Sequence, residues 1–311
     1  MSKQPAISVI MPCYNEAERL NQSVCSVYEQ SFSDLELIVV DDGSSDDSLS
    51  VLEKLSKQYT SLRYFSQKNK GAGPARNRGL KEARGEMIAF LDADDSWHPD
   101  CLKKLHEKLT ETKDTVIAYC GWQNIGLDEN RCKPFIPPNY EQPEKIETLL
   151  RGCRWPIHAA LTRSDAMQKV GGFDETWTSC MDYDLWLRIA SFNKIALVPE
   201  VLAFYHHHDG EQITNNRSRI ALNHWRIQKQ FLINHPEISH QLGAKKIGEI
   251  THGELLHRAY ICYWDRNLEA SHTLFRTVLS TFHFKVRDLK YLLPALLPYK
   301  IYQSLITLAS K

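Results

Sequence analysis

The 311-residue chain contains no run of about 18 or more apolar residues, so no helix is expected to cross a membrane. The apolar run Ile7 to Met11 is short and polar residues follow it at once, so no cleaved signal segment is expected either. Its eight cysteines include no C-x-x-C pair and no zinc-type Cys/His spacing, and they are expected as reduced thiols in a cytoplasmic protein. An excess of one charge is also missing. Lys plus Arg number 38 and Asp plus Glu number 38, for a formal net charge of zero. Nucleic-acid binders usually carry a basic excess, so no nucleic-acid partner is expected. Gly71-Ala72-Gly73 lacks the later Gly of the dinucleotide fingerprint and the Gly-Lys-Ser/Thr of a P-loop. There is no internal repeat and no low-complexity tract.

What is present is the composition of a soluble globular protein, 42% hydrophobic and 24% charged. The length allows more than one minimal domain. Over the first 120 residues short apolar runs alternate with segments of helical period. The runs Ile7 to Met11, Leu35 to Val40, Leu62 to Ser66, Met87 to Leu91 and Val116 to Cys120 read as strands. Between them, Leu20, Val24, Val27 and Tyr28 mark one helix face, and Pro74 and Pro99 open further helices. Strand alternating with helix predicts an α/β fold with a parallel sheet, whose ligands bind beyond the carboxyl ends of the strands. Further on, a strand is predicted near Ile157 to Thr162, helices over Ser164 to Val170 and Asp182 to Phe192, and strand again from Ile195 to Tyr205. Beyond about Thr214 the pattern is helical, for instance over Lys245 to Trp264 and Ala270 to Phe282.

Four loops carry residues suited to chemistry. In Phe90-Leu91-Asp92-Ala93-Asp94-Asp95, three carboxylates follow a fully apolar strand. Strand alternation would point Asp92 and Asp94 the same way. Clustered carboxylates need a counter-charge, and oxygen ligands of this kind suit Mg²⁺ or Mn²⁺ with a substrate's phosphate oxygens. An acidic helix cap is the bland alternative. Asp41 and Asp42, in Val39-Val40-Asp41-Asp42-Gly43-Ser44-Ser45-Asp46, can accept hydrogen bonds from a ribose or a base, or simply cap a turn. The loop from Lys68 to Asn77 mixes glycines with cations ahead of a helix, a place for a diphosphate or a base. Asp182 stands at a helix start, where an ordinary N-cap is the alternative.

Taken in order, the strings SVIMPCYNE, LIVVDDGSSDDS, NKGAGPARNRGL, MIAFLDADD, GGFDE and DYDLWLR resemble the large inverting glycosyltransferase family 2, which has the GT-A fold. The resemblance spans roughly Ile7 to Asn216. It implies a loop of Pro12, Tyr14 and Glu16 against the nucleotide, with Asp42 and also Asp41 at the base. Arg76 would lie beside the base or diphosphate and Asp92 on the ribose side. Asp94 would bind the metal, Mn²⁺ or Mg²⁺, with His208 of Tyr205-His206-His207-His208 near it. A solvated histidine run is the alternative for His208. Asp182 takes the place of the catalytic base, but Met181 stands where family members often carry a glutamate. Trp97, Trp155 and Trp177 could stack on sugar faces or belong to the core.

The implied organisation is a nucleotide-sugar-binding half over residues 1–120, an acceptor-binding half over 121–215, and a mainly helical extension over 216–311. The implied activity is a metal-dependent, hexosyltransferase-type transfer from a nucleoside-diphosphate sugar, UDP-linked by preference, to a hydroxyl of a glycan or lipid-linked acceptor. Surface polysaccharide or glycolipid synthesis is the expected setting. A nucleotidyltransferase and a nucleotide-sugar-binding protein without turnover are the alternatives. The C-terminal stretch differs from the rest: from Thr281 to Lys311 it has five basic residues and one acid. Leu289, Leu292, Leu293 and Leu296 recur at i, i+3, i+4 and i+7, interrupted by Pro294 and Pro298. Such a segment suits a peripheral contact with the inner face of a membrane, or packing on the catalytic domain or on a second copy in a homodimer.

Overall fold

The computed structural model describes residues 4–208 and 216–308, and the chain divides into two compact units. The first comprises residues 1–145 and 152–209, the second 146–151 and 210–311.

The first unit is built on one eight-stranded sheet in the order β3-β2-β1-β4-β7-β6-β8-β5. Its early strands are β1 (Ile7–Cys13), β2 (Leu35–Asp41), β3 (Leu62–Ser66) and β4 (Met87–Phe90). They run parallel, and helices α1 (Leu20–Tyr28), α2 (Ser48–Gln58) and α3 (Ala72–Glu82) connect them. Every residue of β1 and β2 is buried, as expected of parallel strands covered on both faces. The parallel pattern stops there. After β5 (Ser96–Trp97), α4 (Cys101–Glu111) and β6 (Thr115–Ile125), the chain reaches α5 (Lys145–Arg151), of which residues 146–151 count with the second unit. It returns in β7 (Ala160–Arg163), which lies antiparallel between β4 and β6. The expected all-parallel sheet is therefore mixed. Side-chain alternation reports burial of a strand but not its direction, which the long connections decide. After β7 come α6 (Ser164–Lys169), α7 (Met181–Ala190) and β8 (Lys194–His206). Strand β6 runs through residue 120, where a boundary between two halves was expected, so those halves share one sheet.

The described residues of the second unit are helical: α8 (Arg217–Asn234), α9 (Pro236–Gly248), α10 (Glu254–Trp264), α11 (Leu268–Thr281), α12 (Leu289–Leu292) and α13 (Tyr299–Leu308). Side chains of Asn216 and Asn267 cap α8 and α11 by accepting from the N–H groups of Arg219 and Ala270. The helix expected over 245–264 begins earlier, at Pro236. It kinks at Gly243 and passes through one π-turn over Glu249–Gly253. Leu255, Leu274, Phe275, Val278, Leu292 and Tyr302 form its core.

Candidate active site

The residues assigned to the nucleotide, the metal and the catalytic base all lie in the first unit. Strands β1, β2 and β4 are parallel, so their carboxyl ends deliver three loops to one edge of the sheet. The first two loops are stitched together. Asn15, held at φ 54, accepts a bond from the N–H of Ser45 (2.8 Å) and donates its own N–H to Ser44 Oγ (2.9 Å). The N–H groups of Glu16 and Ala17 donate to Ser48 Oγ (3.0 Å) and Asp46 Oδ2 (3.0 Å). Tyr14 keeps its ring exposed beside them. Pro12, expected in this loop, lies inside β1 and is buried, paired with Val40. Pairing of β1 with β4 ends at Ile10, so the proline's missing N–H costs no ladder bond on that side.

The two carboxylates after β2 are occupied by the protein. Asp41 accepts from Ser44 N–H (3.1 Å) and Ser66 Oγ (2.9 Å). Asp42 accepts from Gln67 Nε2 (2.8 Å) and from the N–H groups of Lys70 (3.0 Å) and Gly71 (2.7 Å). Gly43 makes this possible, with φ 75 and an imaginary Cβ only 2.8 Å from Asn69 N. The Gly-rich loop is thus drawn onto the end of β2, where only this glycine's bare backbone fits.

After β4 the strand alternation ends, and the three acids diverge. Asp92 Oδ1 accepts from Arg76 Nη2 at 2.5 Å. Asp94 Oδ2 lies 3.1 Å from His208 Nε2. Asp95 is buried, accepts from the backbone N–H of His206 (2.9 Å), and has its other oxygen 3.1 Å from Nδ1 of the buried His158. Burial, then the charges of Asp94 and Asp92, push the Asp95 pKa well up, while burial holds the imidazole of His158 down at about 4. This buried pair sits as a prop under the acidic turn. Burial and Asp92 likewise raise Asp94, and burial and Asp94 raise Glu16, which also accepts from Arg19 at 3.1 Å.

Burial is the larger cause of the Asp94 and Glu16 shifts and the neighbouring acid the second, and a bound cation would oppose both effects. Glu16, Asp94 and His208 each offer one ligand atom, and these atoms lie within 4.8 Å of one another. Two oxygens and one imidazole nitrogen are a donor set that fits Mn²⁺ or Mg²⁺. Glu16, assigned to the nucleotide in the sequence, thus stands among the metal-type ligands.

Arg76 bonds Asp92, and its charge also reaches Asp182. It is buried on α3, with its guanidinium carbon 5.6 Å from the centre of the Phe173 ring. Asn77, next to it, bonds both ways to the backbone of Phe173 (2.9 Å each) and donates to Glu175 (2.8 Å). Gly172, at φ 74, admits that clamp, since a Cβ would meet Asn77 Oδ1 at 2.7 Å. Asp182 is not the helix cap. Cys180 occupies that position, and Asp182 lies inside the first turn of α7. Burial raises its pKa, against the lowering by the Tyr183 N–H and the charge of Arg76. A carboxylate whose pKa is raised suits a proton acceptor. Met181 is buried, its sulfur 3.6 Å from where a Gly73 Cβ would stand, so packing replaces the second acid of the family pattern.

Trp97 and Trp155 are core residues, which removes them as sugar platforms. Trp97 donates Nε1 to the carbonyl of His158 (2.6 Å), and Trp155 stacks on Tyr119 with ring centres 4.6 Å apart. Trp177 is half-buried. Two neighbours escaped the sequence: His158, under the acidic turn, and Cys153, whose thiol pKa burial and the charge of Asp182 push well up. Neither lies in a recognisable motif, and interactions across 63 residues of chain for His158 with Asp95 and 29 for Cys153 with Asp182 leave no local signal.

The profile of Glycosyl transferase family 2 matches residues 8–177. An amylovoran biosynthesis glycosyltransferase of Erwinia amylovora is 32% identical over 234 residues, 68% of this chain and 75% of that protein. The matched region spans 27% to 66% of the length of three other curated relatives. Among solved structures, Staphylococcus aureus TarS 1–349 in complex with UDP has a TM-score of 0.63 at 18% identity, over 97% of this chain and 90% of that one. A mannosyltransferase from Pyrobaculum calidifontis in complex with GDP-Man and Mn²⁺ has a TM-score of 0.55 at 19% identity, over 98% and 85%. These two likenesses bear on the fold, which is the mixed α/β architecture with a helical C-terminal region expected for GT-A proteins. With more than half its length matched by the family profile, the chain belongs to glycosyl transferase family 2.

Proposed function

We propose that the chain is an inverting glycosyltransferase that moves a sugar from a nucleoside-diphosphate sugar, UDP-linked by preference, to a hydroxyl of a growing glycan or a lipid-linked acceptor. The observation that carries this reading is the convergence of Glu16, Asp94 and His208, whose ligand atoms lie within 4.8 Å of one another, in a chain that also buries the acid Asp182 near the charge of Arg76. Amylovoran synthesis by the Erwinia relative supports a polysaccharide product, and the UDP held by TarS supports the donor.

Tyr14 offers its ring to the base, and Asp42 meets a base N–H by releasing one of its bonds to the 67–71 loop. Asp92, oriented by Arg76, takes the ribose side. A divalent cation, Mn²⁺ or Mg²⁺, held by Asp94 and His208 with Glu16 would neutralise the diphosphate and make it a better leaving group. Asp182 takes the proton of the acceptor hydroxyl as its oxygen bonds the anomeric carbon and the bond from that carbon to the diphosphate oxygen breaks. The nucleoside diphosphate leaves with the electron pair from the face opposite attack, so one displacement inverts the centre.

The test is a panel of nucleotide sugars incubated with the protein and Mn²⁺, with free nucleoside diphosphate and pyrophosphate both assayed. Release of UDP from one UDP-sugar, rising with added acceptor glycan, is the expected result. Pyrophosphate release would instead make it a nucleotidyltransferase, and thermal stabilisation by a donor without any release would make it a binding protein.

A further inference from the structure

We infer that residues 282–308 form a docking surface for an anionic lipid bilayer. The segment has two sides. One is core: Leu292, Ala295, Tyr302 and Ile306 are buried in the second unit. The other is apolar and open, with Phe282 87%, Val286 84%, Leu296 59% and Leu308 69% exposed. On α13, Ile301, Leu305 and Leu308 fall at i, i+4 and i+7, one face of the helix, and all three are exposed. Leu293 and Leu296 share a face of the short 3₁₀ turn before it and are exposed as well. Phe282 ends α11 at φ 54, a conformation that glycine adopts most easily, and its ring projects into solvent.

Charge says what covers this face. Lys285, Arg287, Lys290 and Lys300 are exposed among the apolar side chains. Asp288 is the sole acid from residue 282 to 308, and it is buried, accepting from Tyr260 Oη (2.8 Å) and the N–H of Lys285 (2.7 Å). The exposed charge of residues 282–308 is therefore positive. Two copies meeting about a two-fold axis would set these cations against one another, whereas anionic headgroups answer both the cations and the apolar residues between them. A groove of about 420 Å³ beside Phe282 is lined by His257, His283, Lys285 and Arg287 together with Tyr260, Phe284 and the buried Asp288, so basic and aromatic side chains meet there. Trp264, 63% exposed, stands against Tyr291 at the edge of the same face, and such aromatic pairs favour the boundary between water and lipid. Among the described residues no helix is long and apolar enough to cross a membrane, and the contact inferred here is one with the bilayer surface.

The experiment is co-sedimentation of the full chain with vesicles of phosphatidylcholine alone or mixed with phosphatidylglycerol, at low and high salt. Two double variants are compared, Leu296→Glu with Ile301→Glu and Lys285→Glu with Arg287→Glu. All four side chains are exposed, so thermal melting should stay unchanged, and sedimentation velocity reports the oligomeric state. The expected result is binding to phosphatidylglycerol vesicles that weakens with salt and falls at least tenfold in each variant. Equal binding by wild type and variants overturns the proposal. So does absence of binding to anionic vesicles, including the case in which Leu296→Glu with Ile301→Glu instead splits a dimer.

Discussion

Arg76 acts on two acids, 2.5 Å from Asp92 and close enough to Asp182 for its charge to lower that pKa. A buried guanidinium of this kind fixes geometry, because breaking the pair would leave a charge without a partner. Asp182 retains a raised pKa in spite of it, since desolvation is the larger effect. The rate of transfer should therefore be full above that raised pKa and fall as pH drops through it, with an acid limb above the ordinary aspartate value of about 3.9. The pH profile of kcat checks the limb. Asp182→Asn should lose about 10² to 10⁴ in kcat while donor affinity and melting temperature stay near wild type. Turnover retained in this variant excludes Asp182 as the base. Glu16 provides the second prediction at this scale. Glu16→Gln removes one oxygen charge from the Glu16, Asp94 and His208 cluster and should weaken Mn²⁺ binding about tenfold or more, read by calorimetry on the protein without nucleotide. Unchanged Mn²⁺ affinity would return Glu16 to the nucleotide side, where the sequence had placed it.

At the scale of elements, the loops after β1, β2 and β4 work because the strands before them are rigid, fully buried and in register, Cys13 beside Asp41 and Ile10 beside Phe90. The apolar runs of these strands and the acidic strings behind them were plain in the sequence. Their use was not. Asp41 and Asp42 are spent on Ser44, Ser66 and the 67–71 loop, contacts that depend on β2 and β3 lying side by side. Helix α7 begins at Met181 and not at Asp182, because Cys180 at φ 58 turns the chain into it. The leucines of the C-terminal segment show the same limit. Leu292 and Leu296 belong to one predicted helical face, yet the first is core and the second is exposed, since the 3₁₀ turn at Pro294 changes the period. Deleting the chain after Phe284 should consequently lower the melting temperature, because it strips Leu292, Ala295, Tyr302 and Ile306 from the core. Each large buried side chain removed from a core costs about 2–5 kcal/mol. An unchanged melting curve, followed by circular dichroism, would mean that these residues carry no structural weight.

For the molecule as a whole, the order of six short strings was enough to determine the family and the α/β class, and it drew attention to the residues at the strand ends. Local rules govern all of these: a buried parallel strand must be apolar, and a loop that meets phosphate and metal must carry glycine, cation and carboxylate. Tertiary structure decided everything that joins distant segments. It turned β7 antiparallel and put β6 across the expected boundary. It seated Trp97 and Trp155 in the core, set His158 under Asp95, and drew Glu16 to Asp94 and His208 across 78 and 192 residues of sequence. Side-chain period tells a residue whether it faces inward. Which residue it will face depends on how the strands are ordered, and that is a property of the packed sheet and not of any segment within it.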